Sequence, residues 1–362
     1  MNTWGRNIRL SIFGESHGPS IGIVIDGLPP GTEIDLDMIN RRMARRAPGN
    51  SEFATPRKEA DIPEILSGVK DGRTTGAPLA CVIFNKNQRS GDYGDFLRPG
   101  HSDWTATLKY GGHADLRGGG HFSGRLTAPL VFAGAVALGI LADKGIRIFG
   151  RIRSIEEADD GIELEGVMFR HGDETCGMLE NISEKDFPAA DGSEEIFKER
   201  ILAAKRGHDS VGGCIEAVAV GNLAGLGEPF FNSVESSIAS LMFSVPAVKG
   251  LEFGGGFKLC GLRGSVANDP IRIENGNLYS VTNNNGGILG GIANGMPLIL
   301  RVAIKPTSSI AREQKSVGCH ATENVDIRVG GRHDPCIASR ATPVIESVVA
   351  LSLLDLMMEA GR

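Results

Sequence analysis

Residues 8–26 read IRLSIFGESHGPSIGIVID, and this stretch decides the fold class. Apolar and polar residues alternate over positions 8–12, which is the period of a β-strand with one buried face. Residues 21–25 form a second short apolar run, closed by Asp-Gly and two prolines. A strand, a polar loop and a second strand predict a hairpin. The loop, residues 14–18, therefore places His17 at a turn and not in a core.

The rest of the chain mixes strands and helices. Further strands are predicted at residues 79–84, 146–152, 214–220 and 298–304, and helices at residues 36–46, 123–144, 196–205, 232–243 and, after a Thr342 cap, up to residue 359. Because hairpin-like pairs outnumber strand–helix–strand units, we expect one α+β sandwich over residues 1–362 and no doubly wound parallel sheet. Residues 85–120 lack periodicity, which is typical of functional loops. The acidic stretch at about 153–195 is predicted to be an irregular surface excursion.

Composition narrows the class of function. The net charge is −6, which disfavours a general nucleic-acid binder, so a phosphate site must be a local cluster of cations. The six cysteines show no CxxC pair and no paired zinc spacing, so no metal site is predicted. The apolar run 128–142 is too short to span a membrane, and residues 1–9 lack the apolar core of a signal peptide. We therefore expect a cytoplasmic enzyme with reduced thiols.

Common nucleotide and nucleophile motifs are absent or out of place. No GxxxxGK[ST] sequence occurs, which argues against a P-loop kinase. Residues 118–123 approach GxGxxG, but no clean strand precedes them, so a dinucleotide site has weak support. Residues 14–18 match GxSxG, yet Pro19 and a second strand follow where a nucleophile elbow needs a helix. Ser16 is therefore not predicted to be a nucleophile.

Fifty of the 362 residues are glycine, and many gather in short polar clusters. Six such clusters occur, one of them rich in hydroxyls instead of glycine: residues 14–18, 98–103, 118–125, 283–291, 305–309 and 331–335. Backbone N–H groups in such turns, or at a helix N-terminus, attract phosphate. Each cluster alone is more simply a turn, but six together indicate a site for an anionic ligand.

Cations lie within and near these clusters. Arg125 offers a planar guanidinium suited to phosphate or carboxylate. Lys305 precedes three hydroxyls at residues 307–309, a suitable cradle for a phosphate or a flavin edge. Each of these could equally be a solvated side chain or an ordinary turn. The arginines of residues 41–46 form a basic helix face, which we interpret as steering an anionic substrate.

Proton carriers are present as well. His17 and His101 are the best candidates, because an imidazole with a pKa near 6.5 donates or accepts a proton close to neutrality. A departing phosphate needs a proton or a positive charge on its oxygen, and histidine supplies either. Asp334 is a candidate base or relay, with a turn-capping role as the simpler alternative.

At these clusters the sequence resembles the chorismate synthase family over almost the full chain. Residues 14–29 resemble the family's N-terminal motif, residues 120–136 its central motif, and residues 332–348 its C-terminal motif. Three motifs in the right order and spacing are highly specific. The resemblance implies an α+β sandwich with helices between two antiparallel β-sheets, assembled as a homotetramer.

The resemblance also implies a reaction. It is the anti-1,4-elimination of phosphate from 5-enolpyruvylshikimate 3-phosphate to give chorismate, the last common step of the shikimate pathway to aromatic amino acids. The family requires reduced FMN without net redox change, and in some members NADPH reduces the flavin. By position, His17 would protonate the leaving phosphate, His101 would protonate the reduced flavin, and Asp334 would assist proton removal at flavin N5. The sequence alone leaves the reverse assignment of the two histidines open.

Binding residues also follow from the resemblance. Substrate contacts are expected from Arg46, Arg98, Ser123, Arg125 and Arg332. Flavin contacts are expected from His121, Phe122, Ser123, Ala247, Gly290, Lys305, Pro306, Thr307, Ser308, Ser309 and Arg332. Two positions depart from many bacterial members, which have Arg-Ser at 121–122 and arginine at Glu52. A guanidinium contact is therefore not expected at either position.

Two other classes of function are alternatives to this one. A phosphotransferase acting on a sugar phosphate would need a nucleotide site, and the sequence contains no recognisable one. A flavin- or RNA-binding module could use the basic stretch 41–58, and salt-dependent retention of RNA would favour it.

Overall fold

The structure is a computed structural model that describes residues 2–47, 61–86, 96–166, 169, 172–274, 276–319, 323–330 and 333–361. Its strands in chain order are β1 (Thr3–Trp4), β2 (Arg9–Gly14), β3 (Ser20–Asp26), β4 (Glu64–Ser67), β5 (Val69–Lys70), β6 (Arg73–Thr74), β7 (Leu79–Phe84), β8 (Arg147–Ile155), β9 (Ala158–Asp159), β10 (Gly213–Val220), β11 (Val248–Phe253), β12 (Ile271–Glu274), β13 (Asn277–Ser280), β14 (Ile288–Leu289), β15 (Ile292–Ala293), β16 (Leu298–Ile304), β17 (Gln314–Val317) and β18 (Asn324–Ile327). Its helices are α1 (Leu36–Arg46), α2 (Asp103–Tyr110), α3 (Thr127–Asp143), α4 (Glu174–Ser183), α5 (Glu194–Arg206), α6 (Val234–Met242), α7 (Gly264–Ala267) and α8 (Ala338–Glu359).

Two five-stranded antiparallel sheets form the outer layers. Their strand orders are β1-β2-β3-β7-β4 and β11-β16-β10-β8-β9. The predicted opening hairpin is confirmed, because β2 pairs with β3 and Gly14 lies opposite Ile21. Alternate residues of β3, among them Ile21 and Ile23, are buried against the interior. The hairpin thus presents the loop that carries His17 at one end of the first sheet.

Helices α3 and α8 fill the space between the sheets. Helix α3 packs on β3 and β7 of the first sheet, whereas α8 packs on β8 and β10 of the second, and the two helices pack on each other. One hydrophobic cluster contains Ile23, Phe132, Ile215 and Val348, which come from both sheets and both helices. The predicted α+β sandwich, with helices between two antiparallel sheets, is confirmed.

The burial of these helices explains their apolar composition. The stretches Arg117–Asp143 and Ala338–Glu359 have the length and hydropathy of membrane spans, but 83% and 94% of their apolar windows are buried inside the protein. A helix that is apolar all round is what a position between two sheets requires. Both stretches are therefore core helices of the sandwich.

The prediction of an irregular surface excursion at 153–195 needs correction. Strand β8 continues to Ile155, and α4 lies within this stretch. Leu164, Phe169 and Leu179 are buried in a second hydrophobic cluster, against Phe149 on β8. Acidic residues separate these apolar residues in the sequence, so no apolar period is visible there. The segment nevertheless covers one face of the second sheet.

Two helix predictions also differ from the structure. Helix α2 lies inside the stretch 85–120, which was expected to lack secondary structure; only Asp103 and Ala106 of this helix are buried, so its periodicity is weak. Helix α8 begins at Ala338, before the predicted cap Thr342. The Thr342 hydroxyl donates to the Ala338 carbonyl from within the helix at 3.0 Å.

The predicted basic steering face of residues 41–46 is wrong for three of its arginines. Arg42 and Arg45 both form ion pairs with Glu346 of α8, and the Arg45–Glu346 distance is 3.0 Å. The Glu346 side chain is fully buried, and Arg46 is buried too. Burial alone would raise the pKa of Glu346, but the Arg45 and Arg42 charges lower it overall. Arg42 and Arg45 therefore join α1 to α8 and do not face solvent.

Candidate active site

A cavity of about 930 Å³ is lined by residues of the central and C-terminal motif regions, among others. The predicted site residues that line it are Arg46, Arg98, His101, His121, Phe122, Ser123, Arg125, Ala247, Lys305, Pro306, Thr307, Ser308, Ser309 and Asp334. Gly290 lies in the turn between β14 and β15 and is not among the lining residues. Arg332 and Glu52 lie outside the described residues. The structure thus gathers residues from positions 46 to 334 around one space.

Three consecutive glycines, residues 118–120, lie against both predicted proton-transfer histidines. All three have positive φ, at 59°, 86° and 53°. A Cβ on Gly118 would lie 2.5 Å from His17 Nε2, and one on Gly119 would lie 3.0 Å from His101 Cε1. Only glycine combines this backbone conformation with so close an approach. The run brings His17, which is 5% exposed and not itself among the lining residues, next to the cavity.

The loop that carries His17 is held to the same glycine run. The Ser16 N–H donates to the Gly120 carbonyl at 3.0 Å. His121 Nδ1 lies 2.8 Å from the Gly14 carbonyl. Because a carbonyl only accepts, Nδ1 of His121 carries the proton and Nε2 is the basic nitrogen of the ring. The Asn85 amide donates to two further carbonyls of the loop, so its position is fixed on both sides.

His101 is oriented by a buried carboxylate. Its Nδ1 lies 2.6 Å from Asp103 Oδ1, and Arg98 donates to both oxygens of Asp103 at 2.8 Å. Burial alone would raise the pKa of Asp103, but the hydrogen bonds from His101 and Arg98 lower it well below its usual range. An ionised carboxylate keeps the proton on Nδ1, so Nε2 is the atom of His101 that exchanges protons. Arg98, predicted to bind substrate, engages Asp103 with its guanidinium.

Two predicted substrate-binding arginines share one carboxylate. Arg46 Nη1 donates to Asp61 at 2.6 Å, and Arg125 forms an ion pair with the other Asp61 oxygen. Arg46 also donates to the Thr127 hydroxyl at 3.1 Å, and Arg125 to the Asn85 amide oxygen at 3.0 Å. Burial, opposed by Asp61, lowers the pKa of Arg46 to about 10, so it remains protonated at neutral pH. Two guanidinium groups against one carboxylate leave a net positive charge for an anionic ligand.

Burial also acts on Asp61 itself. Taken alone it would raise the pKa of this carboxyl, but the charges of Arg46 and Arg125 lower it overall. Asp61 therefore stays ionised between the two arginines and fixes their planes.

The opposite wall of the cavity is built around Lys305. Its Nζ donates to the Gly100 carbonyl at 2.8 Å, and its backbone N–H donates to the Ala247 carbonyl at 3.0 Å. Ala247 has φ 73°, a conformation that residues other than glycine adopt rarely and that is common at functional sites. Burial, followed by the nearby Lys249 charge, lowers the pKa of Lys305. The Thr307 hydroxyl donates to the Asp334 carbonyl at 2.8 Å, which ties this wall to the C-terminal motif.

Asp334, the predicted base, is linked to the arginine wall through Arg340. Arg340 forms an ion pair with the Asp334 carboxylate, and its Nε donates to the Arg46 carbonyl at 3.1 Å. Both side chains line the cavity. Among the described residues no group of three or more His, Cys, Asp or Glu side chains is placed to hold a metal ion.

Sequence reasoning assigned no role to Asp61, Asp103 or Arg340. The spacing His101-x-Asp103 is a usable signal, because an imidazole is commonly oriented by a nearby carboxylate. Asp61 carried no such signal, since its partners Arg46 and Arg125 lie 15 and 64 residues away. Only the folded chain brings these three groups together.

The sandwich fold and the cationic, histidine-bearing cavity define an enzyme that acts on a small molecule. The family model described as chorismate synthase matches residues 8–358. The chain belongs to the chorismate synthase family and is an enzyme of the lyase class.

Individual relatives agree along the whole chain. The chorismate synthase of Korarchaeum cryptofilum is 43% identical and covers 99% of this chain and 98% of its own length. That of Thermococcus kodakarensis is 43% identical over 97% of this chain and 96% of its own length. A crystal structure of a chorismate synthase is similar with a TM-score of 0.76 and 28% identity, covering 99% of this chain and 93% of the other.

Proposed function

We propose that this enzyme eliminates phosphate from 5-enolpyruvylshikimate 3-phosphate to give chorismate, in a reaction that uses reduced FMN. The C–O bond to phosphate and one C–H bond break, and a new C=C bond forms. The protein must therefore neutralise a departing phosphate and accept a proton. The observation that carries the proposal is the contact of Gly118 and Gly119 with His17 and His101, beside a cavity lined by arginines.

The cavity residues fit a flavin mononucleotide. A volume of about 930 Å³ is at the upper end for small-molecule sites, which leaves room for a flavin beside the substrate. Phe122, Leu126 and Val344 give the lining an apolar part suited to a flat ring. Lys305 and the hydroxyls of residues 307–309 supply the cation and donors that a ribityl phosphate needs. When bound, with its phosphate held by Lys305 and the hydroxyls of residues 307–309, reduced FMN would supply electron density for breaking the C–O bond without net redox change.

The chain's own groups divide the remaining work. Arg46 and Arg125, held by one carboxylate, bind the substrate's phosphate or carboxylate through their excess positive charge. His17 donates a proton to the departing phosphate. His101 holds a proton at Nε2, the atom left available by its bond to Asp103. Asp334 accepts a proton as a base held in place by Arg340.

We further propose a cytoplasmic homotetramer in which NADPH supplies the electrons that reduce FMN. Large aromatic side chains on the surface support assembly, since aromatic residues are enriched in the buried cores of protein interfaces. Examples are Trp104, Phe231 and Phe257, which are 65%, 91% and 82% exposed. No nucleic acid or membrane partner is part of the proposal.

The proposal is tested by anaerobic turnover with dithionite-reduced FMN and 5-enolpyruvylshikimate 3-phosphate. Phosphate and chorismate are measured in the same sample, and we expect them in equal amounts. Oxidised FMN without a reductant should give neither product. Turnover under strictly oxidising conditions would remove the flavin from the mechanism, and phosphate without chorismate would indicate a phosphatase.

A further inference from the structure

The β12–β13 hairpin presents an apolar face that the described chain leaves exposed. Ile271, Ile273 and Leu278 are 58%, 73% and 72% exposed. The register places Ile273 opposite Leu278, so these side chains lie on one face of the hairpin. A two-stranded hairpin is only marginally stable in water by itself. Its base is anchored, since Asp269 accepts a hydrogen bond from the Thr282 hydroxyl at 2.6 Å, and all four residues of β12 are exposed.

One edge of this hairpin carries backbone groups directed away from the partner strand. The Val281 N–H donates to the Pro270 carbonyl at 2.9 Å, so the even-numbered residues of β12 bond to β13. By alternation, the N–H and C=O groups of Ile271 and Ile273 point to the other edge. The Ile271 carbonyl accepts from its own neighbour, Arg272 Nη1, at 2.9 Å, as an edge carbonyl does. Such an edge is a template for another strand.

The charges on β12 are complementary to themselves. Arg272 and Glu274 are exposed and lie on the face opposite Ile273. We consider an antiparallel pairing of β12 with β12 of a second copy, centred on Ile273. Arg272 then lies opposite Glu274 of the second copy, and Glu274 lies opposite Arg272 of the second copy. A register shifted by two residues would set Arg272 opposite another Arg272, which is unfavourable. The backbone direction allows both registers, and the charges select the one centred on Ile273.

We infer that β12 is a docking surface for a second copy of this chain. The two β12 strands pair antiparallel about a two-fold axis at Ile273, and a four-stranded sheet β13-β12-β12-β13 results. The contact is isologous, as expected for a homo-oligomer. It sets Ile273 beside its counterpart and adds two opposite-charge pairs. The inference specifies one interface of the proposed homotetramer and depends on no step of the proposed chemistry.

Charge reversal tests this register in the full-length protein. Sedimentation velocity over a range of protein concentrations gives the dissociation constant of assembly. Arg272→Glu should weaken assembly about tenfold or more, because two opposite-charge contacts become two like-charge contacts. The double variant R272E/E274R should restore it, since each copy again offers complementary charges. Arg272→Lys is the matched control and should assemble as the parent does.

A second pair of variants tests the edge itself. Ile273→Asp should dissociate the pair, and Ile273→Val should not. Both side chains would be exposed in the single chain, so the far-UV circular dichroism spectrum should stay unchanged. A parent chain that is monomeric at all concentrations would overturn the inference. The inference would also be overturned if R272E/E274R assembled no better than Arg272→Glu. It would be overturned too if Ile273→Asp dissociated the protein while Arg272→Glu did not, because that result would indicate face-to-face packing. The phosphate and chorismate assay distinguishes these outcomes from a failure of the proposed reaction.

Discussion

At the scale of single residues, each catalytic candidate is positioned by a neighbour of a different kind. His101 is held by a hydrogen bond, because Asp103 accepts from its Nδ1 at 2.6 Å. His17 lies against Gly118, where any Cβ would lie 2.5 Å from its Nε2. These two constraints can be removed separately, which makes the two roles separately testable.

Asp103→Asn should impair catalysis more than substrate binding. The amide can donate to Nδ1, which would leave the proton on the wrong nitrogen of His101. We expect kcat to fall about 100-fold or more with a much smaller change in KM, measured by anaerobic steady-state turnover. A variant with the parent's kcat would contradict the orienting role of Asp103.

The same variant predicts a dependence of stability on pH. The folded-state pKa of Asp103 is depressed, so its ionised form stabilises the protein fully above the unfolded pKa of about 3.9. That stabilisation is lost as pH falls toward the lower folded pKa. The difference in unfolding free energy between parent and Asp103→Asn should be constant above about pH 5 and shrink in more acidic urea titrations. A difference that grows on acidification would contradict the assigned ionisation.

Gly118→Ala should damage activity beyond its effect on stability. Gly118 and Gly111 have nearly the same φ, 59° and 58°, so alanine at either costs about 1–2 kcal/mol of backbone strain. A Cβ at Gly118 meets His17 at 2.5 Å, whereas one at Gly111 meets no heavy atom of the described chain within 4 Å. We expect kcat to fall at least about tenfold only in Gly118→Ala. Equal kcat in the two variants would refute the contact with His17.

At the scale of elements, α1 and α8 are joined by a buried cluster of charges. Glu346 on α8 accepts from Arg42 and Arg45 of α1, and also from the Ser183 hydroxyl at 2.9 Å and the Gly150 N–H at 3.1 Å. One carboxylate therefore contacts α1, α4 and β8 as well as belonging to α8. Since Arg46 lies on the same helix, this cluster also places one wall of the cavity.

Glu346→Gln should destabilise the fold by about 3–5 kcal/mol, because it removes the charge that two mostly buried guanidinium groups require. Glu359→Gln on the same helix is the matched control. Its ion pair with Arg6 is more exposed, and we expect a loss of less than about 1 kcal/mol. Urea unfolding at pH 7 measures both values. Equal losses of unfolding free energy in the two variants would show that the buried cluster stabilises the fold no more than the exposed ion pair does.

Elements with a clear period were predictable from the sequence, and those fixed by distant contacts were not. Strands β2, β3 and β16 follow their apolar alternation or apolar run, and Asp35 caps α1 as its side-chain type suggests. Helix α2 was missed because it buries one face too weakly to leave a period. The stretch 153–195 was misjudged because its apolar residues pack on the second sheet, which sequence periodicity cannot reveal.

At the scale of the whole molecule, the cavity unites segments that lie far apart in the chain. The family resemblance predicted one shared site, and the cavity gathers most of the predicted residues, from Arg46 to Asp334. The carboxylate between Arg46 and Arg125 was not predictable, because Asp61 stands in no recognisable pattern with either of them. Arg42 and Arg45 form ion pairs with Glu346 inside the fold. Their charges are therefore not presented to RNA, which weakens the RNA-binding alternative.

The central claim is that His17, beside the cavity, and His101, in its lining, serve one reaction. Single-turnover and steady-state measurements with reduced FMN and 5-enolpyruvylshikimate 3-phosphate on His17→Ala and His101→Ala test it most directly. His113→Ala, at an exposed histidine that does not line the cavity, is the control. We predict that chorismate and phosphate formation fall together by about 100-fold or more in the first two variants, with the fold intact, and stay unchanged in the control. Parental turnover in both His17→Ala and His101→Ala would contradict the account.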